Sequence, residues 1–471
     1  MNNQFTNQVA HFIVDTTLET IPDDVLQLSK PFIYDGLAVT LAGAKQKCTQ
    51  LVWKYLQETA GRPESTVIGT DLRAPAAKAA LANGVAAHAD DYDDTQIASL
   101  PDRVTGLLTH PTTPVLSAAL AVAEALGKSG RDLLLAYNIG VEVESKLAEA
   151  INPEHYRRGF HSTGTLGAFG AFAAAAKLME LPVNQVIYGL GIVASMSAGL
   201  RANFGTMTKP LHAGRAAENG VVAARLAALG YTSSPDILDS QWGFFQIMGG
   251  GFDAEYLRTR LGNPWQMASP GISIKPYPCG SLGHPTMDAV RDLMREHGIR
   301  AEDISRIDIE AASNIIAALR YTEPKNELQA KFSLQYGVAV IALYGRAGIS
   351  EYTDERVHDP SVQAFLRERV RVYNTPEIEA RGYDKMHTVV KILLTNGNVL
   401  TRHAEVARGY PQRPLTPEEQ MEKFTECAAG LLEPAAAQEV WQVVGAIEEL
   451  DKVSSLTQRL VPKRPGAGAV A

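Results

Sequence analysis

The chain has 471 residues, of which 45% are hydrophobic and 20% are charged, as in ordinary globular proteins. Its net charge of −8 argues against a nucleic-acid-binding protein. No apolar run approaches the roughly 18 residues of a membrane span, and the first residues do not resemble a secretory signal. The three cysteines, Cys48, Cys279 and Cys427, are too scattered for a disulfide framework. We therefore expect a cytoplasmic protein.

The first sixty residues have the apolar spacing of two or three helices. Ile21-Pro22-Asp23-Asp24 is typical of a helix start, with proline and acidic residues in the first turn. Pro31 lies inside the helical pattern that follows and predicts a kink or a break there. Residues 61–69 are expected to form a loop.

From residue 75 to residue 230 the sequence is rich in Ala, Gly, Leu and Val and predicts a tightly packed helical core. Gly164, Gly167 and Gly170 recur every three residues, which favours close helix packing over a phosphate-binding loop. The predicted helices cover residues 75–90, 112–127, 131–151, 165–180, 183–200 and 212–229.

After about residue 265 strand patterns enter the sequence. Residues 304–310 and 369–373 are predicted strands, and Asn396-Gly397 between two apolar segments predicts a hairpin over 389–406. A helix at 328–346 lies among them, and helices follow from the Thr416 capping box and over 434–450. We therefore predict a mainly α protein. Its large all-helical domain, 1–266 plus 405–471, is built from both chain ends, and a smaller α+β lid domain, 267–404, is inserted.

The stretch from His88 to Thr95 is the most unusual feature of the sequence. It places four carboxylates in five positions, Asp90 to Asp94, and burying them unpaired would cost several kcal/mol. The stretch is therefore either a solvated helix end or a buried cluster matched by cations. Our central hypothesis is that four later segments converge on it to form one active site. These segments carry His110, His161, Lys209 and Lys275.

Three of these cationic residues, His110, His161 and Lys209, stand at predicted helix starts. Helix N-termini bind anions, and adjacent cations would strengthen such binding, so we expect a substrate with two or three carboxylates. Histidine titrates near neutrality, and lysine does so when desolvated, which suits both to proton transfer. His88, His212 and His284 are more simply interpreted as structural residues.

Two metal-dependent alternatives explain the acidic stretch less well. Asp90-Asp91-x-x-Asp94 fits the magnesium motif of isoprenyl diphosphate synthases, but those enzymes need a second Asp-rich motif, which this sequence lacks. An iron–sulfur hydratase needs clustered cysteines, and the spacing of the three cysteines disfavours it. We expect no metal and no cofactor.

Several motifs together resemble the MmgE/PrpD family, which includes 2-methylcitrate dehydratase, cis-aconitate decarboxylase and iminodisuccinate epimerase. The resemblance extends from Ile33 to the C-terminal helices, and its most specific motifs occur in the family's order. It implies a helical domain with an α+β lid, a homodimer, and no cofactor. The motifs are His88 to Thr95, Gly159-Phe160-His161, Thr208 to Gly214, Lys275-Pro276-Tyr277-Pro278-Cys279 with His284, and Phe332-Ser333-Leu334-Gln335-Tyr336.

The resemblance also implies a site in the cleft between the two domains. By position, Asp91 and Thr95 match the family's aspartate and threonine, and their spacing of four places them on one helical face. His110, His161 and Lys209 match basic residues of the helical domain, whereas Lys275 and Tyr321 match residues of the lid side. We expect Lys209 and Lys275 to hold substrate carboxylates and Thr95 to contact substrate. His161 would lead proton transfer with His110 as its partner, Asp91 would orient or charge a neighbouring group, and Tyr321 would complete the catalytic set.

Two departures from the family pattern bear on the reaction. Animal cis-aconitate decarboxylases carry a histidine that aligns with Gly280, and glycine cannot transfer a proton. The run Phe-Pro-Ala-Glu-Phe-His that we associate with methylcitrate dehydratases is also missing. We expect a cofactor-independent lyase for a small di- or tricarboxylic acid, foremost a 2-methylcitrate-dehydratase-like enzyme. The alternatives are a cis-aconitate-type decarboxylase, an iminodisuccinate-type epimerase and, remotely, a non-catalytic dimeric binding protein.

Overall fold

A computed structural model describes residues 4–59, 61–96, 109–253, 257–381 and 386–462. The prediction of a mainly α protein is confirmed, and strands are few. The longer helices are α1 (Gln4–Asp15), α2 (Asp23–Ala44), α3 (Lys47–Glu58), α4 (Ala76–Ala89), α5 (Thr112–Leu126), α6 (Gly130–Ile151), α7 (Gly167–Leu178), α8 (Val183–Met196), α9 (Thr208–Ala228), α10 (His284–His297), α11 (Leu334–Tyr344), α12 (Pro360–Arg369), α13 (Pro417–Ala428) and α14 (Ala436–Gly445).

The predicted helices of the alanine-rich region are all present, with shifted ends. Helix α9 begins at Thr208, so Lys209 lies in its first turn and not before it. Helix α2 runs without interruption through Pro31, where the sequence predicts a kink or a break. Helix α13 follows the predicted Thr416 capping box. The predicted helix 328–346 is divided into a short turn, Glu327–Ala330, and α11.

Helices α4 and α9 pack unusually closely at two glycines. A Cβ atom added to Gly84 would lie 2.8 Å from the Cα atom of Gly214, so neither position leaves room for a side chain. This close approach brings the end of α4, which carries His88, next to the start of α9, which carries Lys209. The largest apolar cluster surrounds this pair and includes side chains from residues 5–274 and 415–460.

The inserted region is built on a four-stranded sheet. Its strands are β3 (Ile304–Ala311), β4 (Val370–Tyr373), β5 (Thr388–Leu394) and β6 (Val399–Ala404), and a two-residue pair, β1 (Ser65–Thr66) and β2 (Arg73–Ala74), lies apart from them. The order is β4-β3-β5-β6, with β3 parallel to β4 and antiparallel to β5. The hairpin predicted at Asn396-Gly397 is the β5–β6 pair.

A second apolar cluster, from residues 277–404, covers this sheet with α10, α11 and α12. The two clusters support the division that we propose, a helical domain of 1–266 plus 405–471 and an inserted lid domain of 267–404. Among the described residues, no helix combines the length and the apolar character that a membrane crossing requires.

Candidate active site

The acidic stretch is buried, which excludes the solvated helix end. The residues Asp90, Asp91, Asp93 and Asp94 are each no more than 4% exposed. Helix α4 ends at Ala89, and Asp91 adopts a left-handed backbone conformation with φ of 52°. The prediction that Asp91 and Thr95 share a helical face is therefore wrong. The chain turns away from the helix here, and Thr95 pairs instead with Ser273 through two backbone hydrogen bonds.

Asp91 lies between two buried lysines. Lys209 donates to its Oδ1 atom, and the Nζ atom of Lys275 lies 3.2 Å from its Oδ2 atom. Lys275 also donates to the Asp91 backbone carbonyl at 2.8 Å. Burial opposes ionisation of Asp91, but the charges of Lys209 and Lys275 outweigh this and hold its pKa well below the usual value. The three groups thus carry a net positive charge inside the protein.

Two further lysines contact the same loop. Lys331 of the inserted region donates to Asp90 at 2.7 Å, and Gln46 donates to the same carboxylate oxygen at 2.8 Å. Lys423 of α13 forms an ion pair with Asp35 at 2.7 Å and donates to the backbone carbonyl of Tyr92 at 2.9 Å. The loop is therefore held by cations from distant parts of the chain.

His88 and His110 each have one ring nitrogen fixed by an acceptor. The Nδ1 atom of His88 lies 2.7 Å from a carboxylate oxygen of Asp93, and His110 donates from Nδ1 to the backbone carbonyl of Asp94 at 2.7 Å. A carboxylate and a carbonyl only accept, so Nδ1 carries the hydrogen in both rings. The Nε2 atom of each is then the nitrogen with a free lone pair. Burial lowers the pKa of both histidines, that of His110 the more strongly.

His161 begins a short helical turn, Ser162–Thr165, and its ring is almost completely buried. Its Nδ1 atom lies 3.1 Å from the Nδ1 atom of His212, while its Nε2 atom is buried without a hydrogen-bond partner among the described residues. Burial, and then the charge of Lys209, lower the pKa of His161 well below its usual value. Burial also lowers the pKa of His212 to about 4. At neutral pH both rings are therefore uncharged, and the ring whose Nδ1 atom donates in this pair has its lone pair free at Nε2.

These groups surround a cavity of about 50 Å³ between the two regions of the chain. One wall is polar and carries Asp91, Thr95, His110, His161, Lys209 and Lys275. The facing wall, from the inserted region, is mainly apolar and carries Gly280, Ser281, Leu282, Ala318, Leu319 and Phe332. A Cβ atom added to Gly280 would lie 2.6 Å from the Cδ2 atom of Leu319, so Leu319 fills the space that a side chain at position 280 would need.

The structure thus brings together six of the seven residues expected at the site and places Tyr321 at its edge. The Tyr321 hydroxyl donates to the backbone carbonyl of Phe204 at 3.3 Å, and Phe204 lines the cavity, whereas Tyr321 does not. A catalytic role for Tyr321 therefore stays a prediction. Its observed contacts fix the loop that carries Phe204.

Sequence reasoning missed Lys331, Lys423 and the pairing of His212 with His161. Lys331 directly precedes the Phe332 to Tyr336 motif, and that position is a signal that could have identified it. Lys423 lies between the buried residues Gln420 and Cys427 of α13, so its position on an apolar helix face is another signal. The His212 pairing has no sequence signal, because it depends on how α9 packs.

Donor atoms of His88, Asp91 and His110 all lie within 4.8 Å of one another, a spacing that a metal ion could use. Asp91, however, is already paired with two ammonium groups, and their positive charge would repel a cation placed between these donors. The same charge attracts carboxylates. The charges around these donors therefore favour an anion over a metal ion at this position.

Comparison with family models matches nearly the whole chain. Residues 7–257 match the MmgE/PrpD N-terminal domain, and residues 277–449 match the MmgE/PrpD C-terminal domain. The two matched regions meet between residues 257 and 277, close to the boundary that we propose between the helical and inserted domains.

Curated proteins of similar sequence include both decarboxylases and dehydratases. The cis-aconitate decarboxylase of Mus musculus is 29% identical over 480 residues, which cover 98% of this chain and 94% of that protein. The cis-aconitate decarboxylase of Homo sapiens is also 29% identical, with 99% of this chain and 96% of that protein covered. The mitochondrial 2-methylcitrate dehydratase of Yarrowia lipolytica is 23% identical, with 87% of this chain and 80% of that protein covered.

Proposed function

Because the chain belongs to the MmgE/PrpD family, we propose that it is a cofactor-independent lyase of a small di- or tricarboxylic acid. The observation that carries this proposal is the buried Asp91 between Lys209 and Lys275, beside His110 and the Nε2 atom of His161, which has no hydrogen-bond partner among the described residues. Cations to hold carboxylates and neutral bases to move protons are the groups that such a reaction needs.

Lys209 and Lys275 are proposed to bind substrate carboxylates. Both ammonium groups are buried, so each interacts strongly with an anion that enters the cavity. Asp91 contacts both groups and holds them in position. Thr95, beside them on the polar wall, is proposed to contact the substrate through its hydroxyl group.

His161 is proposed as the residue that removes a proton from the substrate. In the tautomer that donates its Nδ1 hydrogen to His212, the ring has its lone pair at Nε2, which has no hydrogen-bond partner among the described residues, and its lowered pKa keeps it neutral at pH 7. His110 is the second base of the same wall. A protonated lysine can assist departure of a hydroxyl group, because a buried ammonium is a strong hydrogen-bond donor.

Among the family reactions, dehydration of a 2-methylcitrate-like acid agrees best with this geometry. Its first step removes a proton from carbon, which matches the uncharged state of His110 and His161. A decarboxylase must instead deliver a proton to a carbanion, and the apolar wall carries glycine at position 280. The second candidate is nevertheless a cis-aconitate-type decarboxylase, because the full-length relatives in mouse and human have that activity.

Proton NMR in deuterated water tests the proposal. The protein is incubated with citrate, 2-methylcitrate, cis-aconitate or iminodisuccinate generated in situ. A new alkene signal from a hydroxy acid would establish a dehydratase, and loss of a carboxyl carbon would establish a decarboxylase. Exchange of an α-proton without net conversion would indicate an epimerase. Binding of these acids without any conversion would contradict a lyase and favour a binding protein.

We also propose that the protein is a homodimer, as the family resemblance implies, and that it is cytoplasmic, as its sequence led us to expect. Light scattering of the purified protein at several concentrations tests the dimer, and a constant monomer mass would contradict it. Fractionation of the source cells tests the location.

A further inference from the structure

Behind the cavity, His88 and Asp93 form a buried pair to which the proposed reaction assigns no role. The His88 side chain has no solvent exposure, and its Nδ1 atom lies 2.7 Å from the Oδ2 atom of Asp93. Thr113 donates its hydroxyl to the same oxygen at 2.7 Å. Two donors therefore fix this carboxylate and, through it, the orientation of the His88 ring.

The other side of the His88 ring faces the site. Its Nε2 atom is buried and has no hydrogen-bond partner among the described residues. The ring centroid lies 4.8 Å from that of His110, in an edge-on arrangement, and 5.6 Å from that of His161, in a stacked arrangement. A basic nitrogen with a free lone pair thus lies directly behind the two histidines that line the cavity.

The partners of these histidines differ in charge. His161 is paired with the ring of His212, whereas His110 donates to a backbone carbonyl and its Nδ1 atom lies 3.7 Å from the Oδ2 atom of Asp93, beyond hydrogen-bond distance. In the part of the chain that the structure describes, His88 is the one of these three with a carboxylate oxygen at hydrogen-bond distance. A hydrogen-bonded carboxylate stabilises the imidazolium form, so His88 is the ring best able to hold an added proton.

We propose that His88 and Asp93 are a proton-storing pair, in which His88 takes up one proton at Nε2 when a polycarboxylate enters the cavity. The proton comes from the solvent, and the resulting imidazolium, paired with Asp93, balances part of the added negative charge. That the ligand is a polycarboxylate rests on the proposed function. His88 is a positioning residue in this scheme, because it lies behind the cavity wall and does not touch the substrate.

The charges around His88 explain why uptake depends on the ligand. Without ligand, burial keeps His88 neutral, Lys209 opposes its protonation, and Asp93 favours it. A bound carboxylate neutralises Lys209 and so removes the opposing charge, which shifts the balance towards protonation. The titratable groups facing His88 are Asp91 and Asp93 from the acidic loop, His110 from the segment before α5, His161 from the turn after Gly159, and Lys209 and His212 from α9.

Calorimetric titration with tricarballylate tests the proposal, because this saturated tricarboxylate has no hydroxyl group to eliminate. Titrations in buffers of different ionisation enthalpy give the number of protons taken up. We expect about one proton per ligand at pH 7.5, with affinity that weakens about tenfold per pH unit above neutrality. In His88→Gln, uptake should fall below about half a proton and the pH dependence should flatten, in line with that linkage.

Asp93→Asn is the second variant, and Thr113→Val is the matched control. Asp93→Asn keeps the size of the side chain but removes the charge, so it should also abolish uptake. Thr113→Val removes a hydrogen bond to the same oxygen and leaves the charge, so its uptake should stay near the wild-type value. Binding without proton uptake in the wild type, or unchanged uptake in both His88→Gln and Asp93→Asn, would overturn this inference alone. Failure of the wild type to bind tricarballylate, citrate and cis-aconitate would overturn the proposed function and this inference with it.

Discussion

Lys209 and Lys275 contact different oxygens of the Asp91 carboxylate, so one buried acid joins the first turn of α9 to the segment that enters the inserted region. One carboxylate thus faces two ammonium groups. Its removal would leave two ammonium groups facing each other in a buried site, whereas a bound substrate could replace it as their counterion.

The substitution Asp91→Asn should therefore destabilise the folded protein, and a bound ligand should restore part of the lost stability. Breaking a buried ion pair from one side typically costs about 3–5 kcal/mol, because the remaining charge is left uncompensated. We expect a loss of this size in the free energy of unfolding, and a clearly smaller loss with saturating tricarballylate. Urea denaturation with and without the ligand measures both. Glu448→Gln, which removes the partly exposed partner of Lys30, is the control and should cost no more than about 1 kcal/mol.

His161→Ala should lower turnover by about 10²-fold or more while the fold stays intact, because that is the scale of lost general acid–base catalysis. Steady-state kinetics on the converted acid measures the effect, and circular dichroism confirms the fold. His155→Gln is a suitable comparison, since His155 is also buried but does not line the cavity. Near-normal turnover of a folded His161→Ala protein would remove His161 from the mechanism.

Gly280 and Leu319 should behave as a coupled pair. Gly280→Ala places a Cβ atom 2.6 Å from the Leu319 side chain, and overpacking of this kind costs about 1–3 kcal/mol. Leu319→Ala should relieve the clash, so the double variant should be more stable than the sum of the two single changes predicts. Thermal unfolding of all four proteins gives the coupling energy. Strict additivity would show that Leu319 does not limit the space at position 280.

The pH dependence of stability can be tested at His155, whose pKa burial lowers to about 4. The unfolded chain binds a proton at this group below about pH 6.5, whereas the folded protein does not until about pH 4. The stability contributed by the neutral ring is thus complete above the unfolded pKa and is lost as the pH falls through this window. The destabilisation caused by His155→Gln, measured by urea denaturation, should shrink from pH 7 to pH 4.5. A constant difference over that range would contradict the assignment.

The sequence predicted the elements of the fold better than it predicted their contacts. Helical periodicity and the Asn396-Gly397 turn are local signals, so the α-rich core and the β5–β6 hairpin could be predicted without the structure. The convergence of His110, His161, Lys209 and Lys275 was also anticipated, partly through the family resemblance.

Other features of the site depend on contacts between residues far apart in sequence. The spacing of Asp91 and Thr95 predicts that both lie on one helix, but helix α4 ends before Asp91, which adopts a left-handed conformation. The contributions of Lys331 and Lys423 arise only when distant segments pack against the acidic loop. Local patterns do not report such packing, which is why these residues were missed.

The cations that contact the acidic loop have a consequence for the order of folding. Lys209, Lys275, Lys331 and Lys423 all follow the loop in the chain, and Lys423 lies in α13 near the C-terminal end. Contacts between residues so far apart form late, because closing long loops costs more entropy than forming local helices. A ribosome-bound chain that lacks α13 therefore lacks the lysine that donates to the Tyr92 carbonyl of the loop and pairs with Asp35. We therefore expect the contacts around this loop to be complete only after α13 has been synthesised.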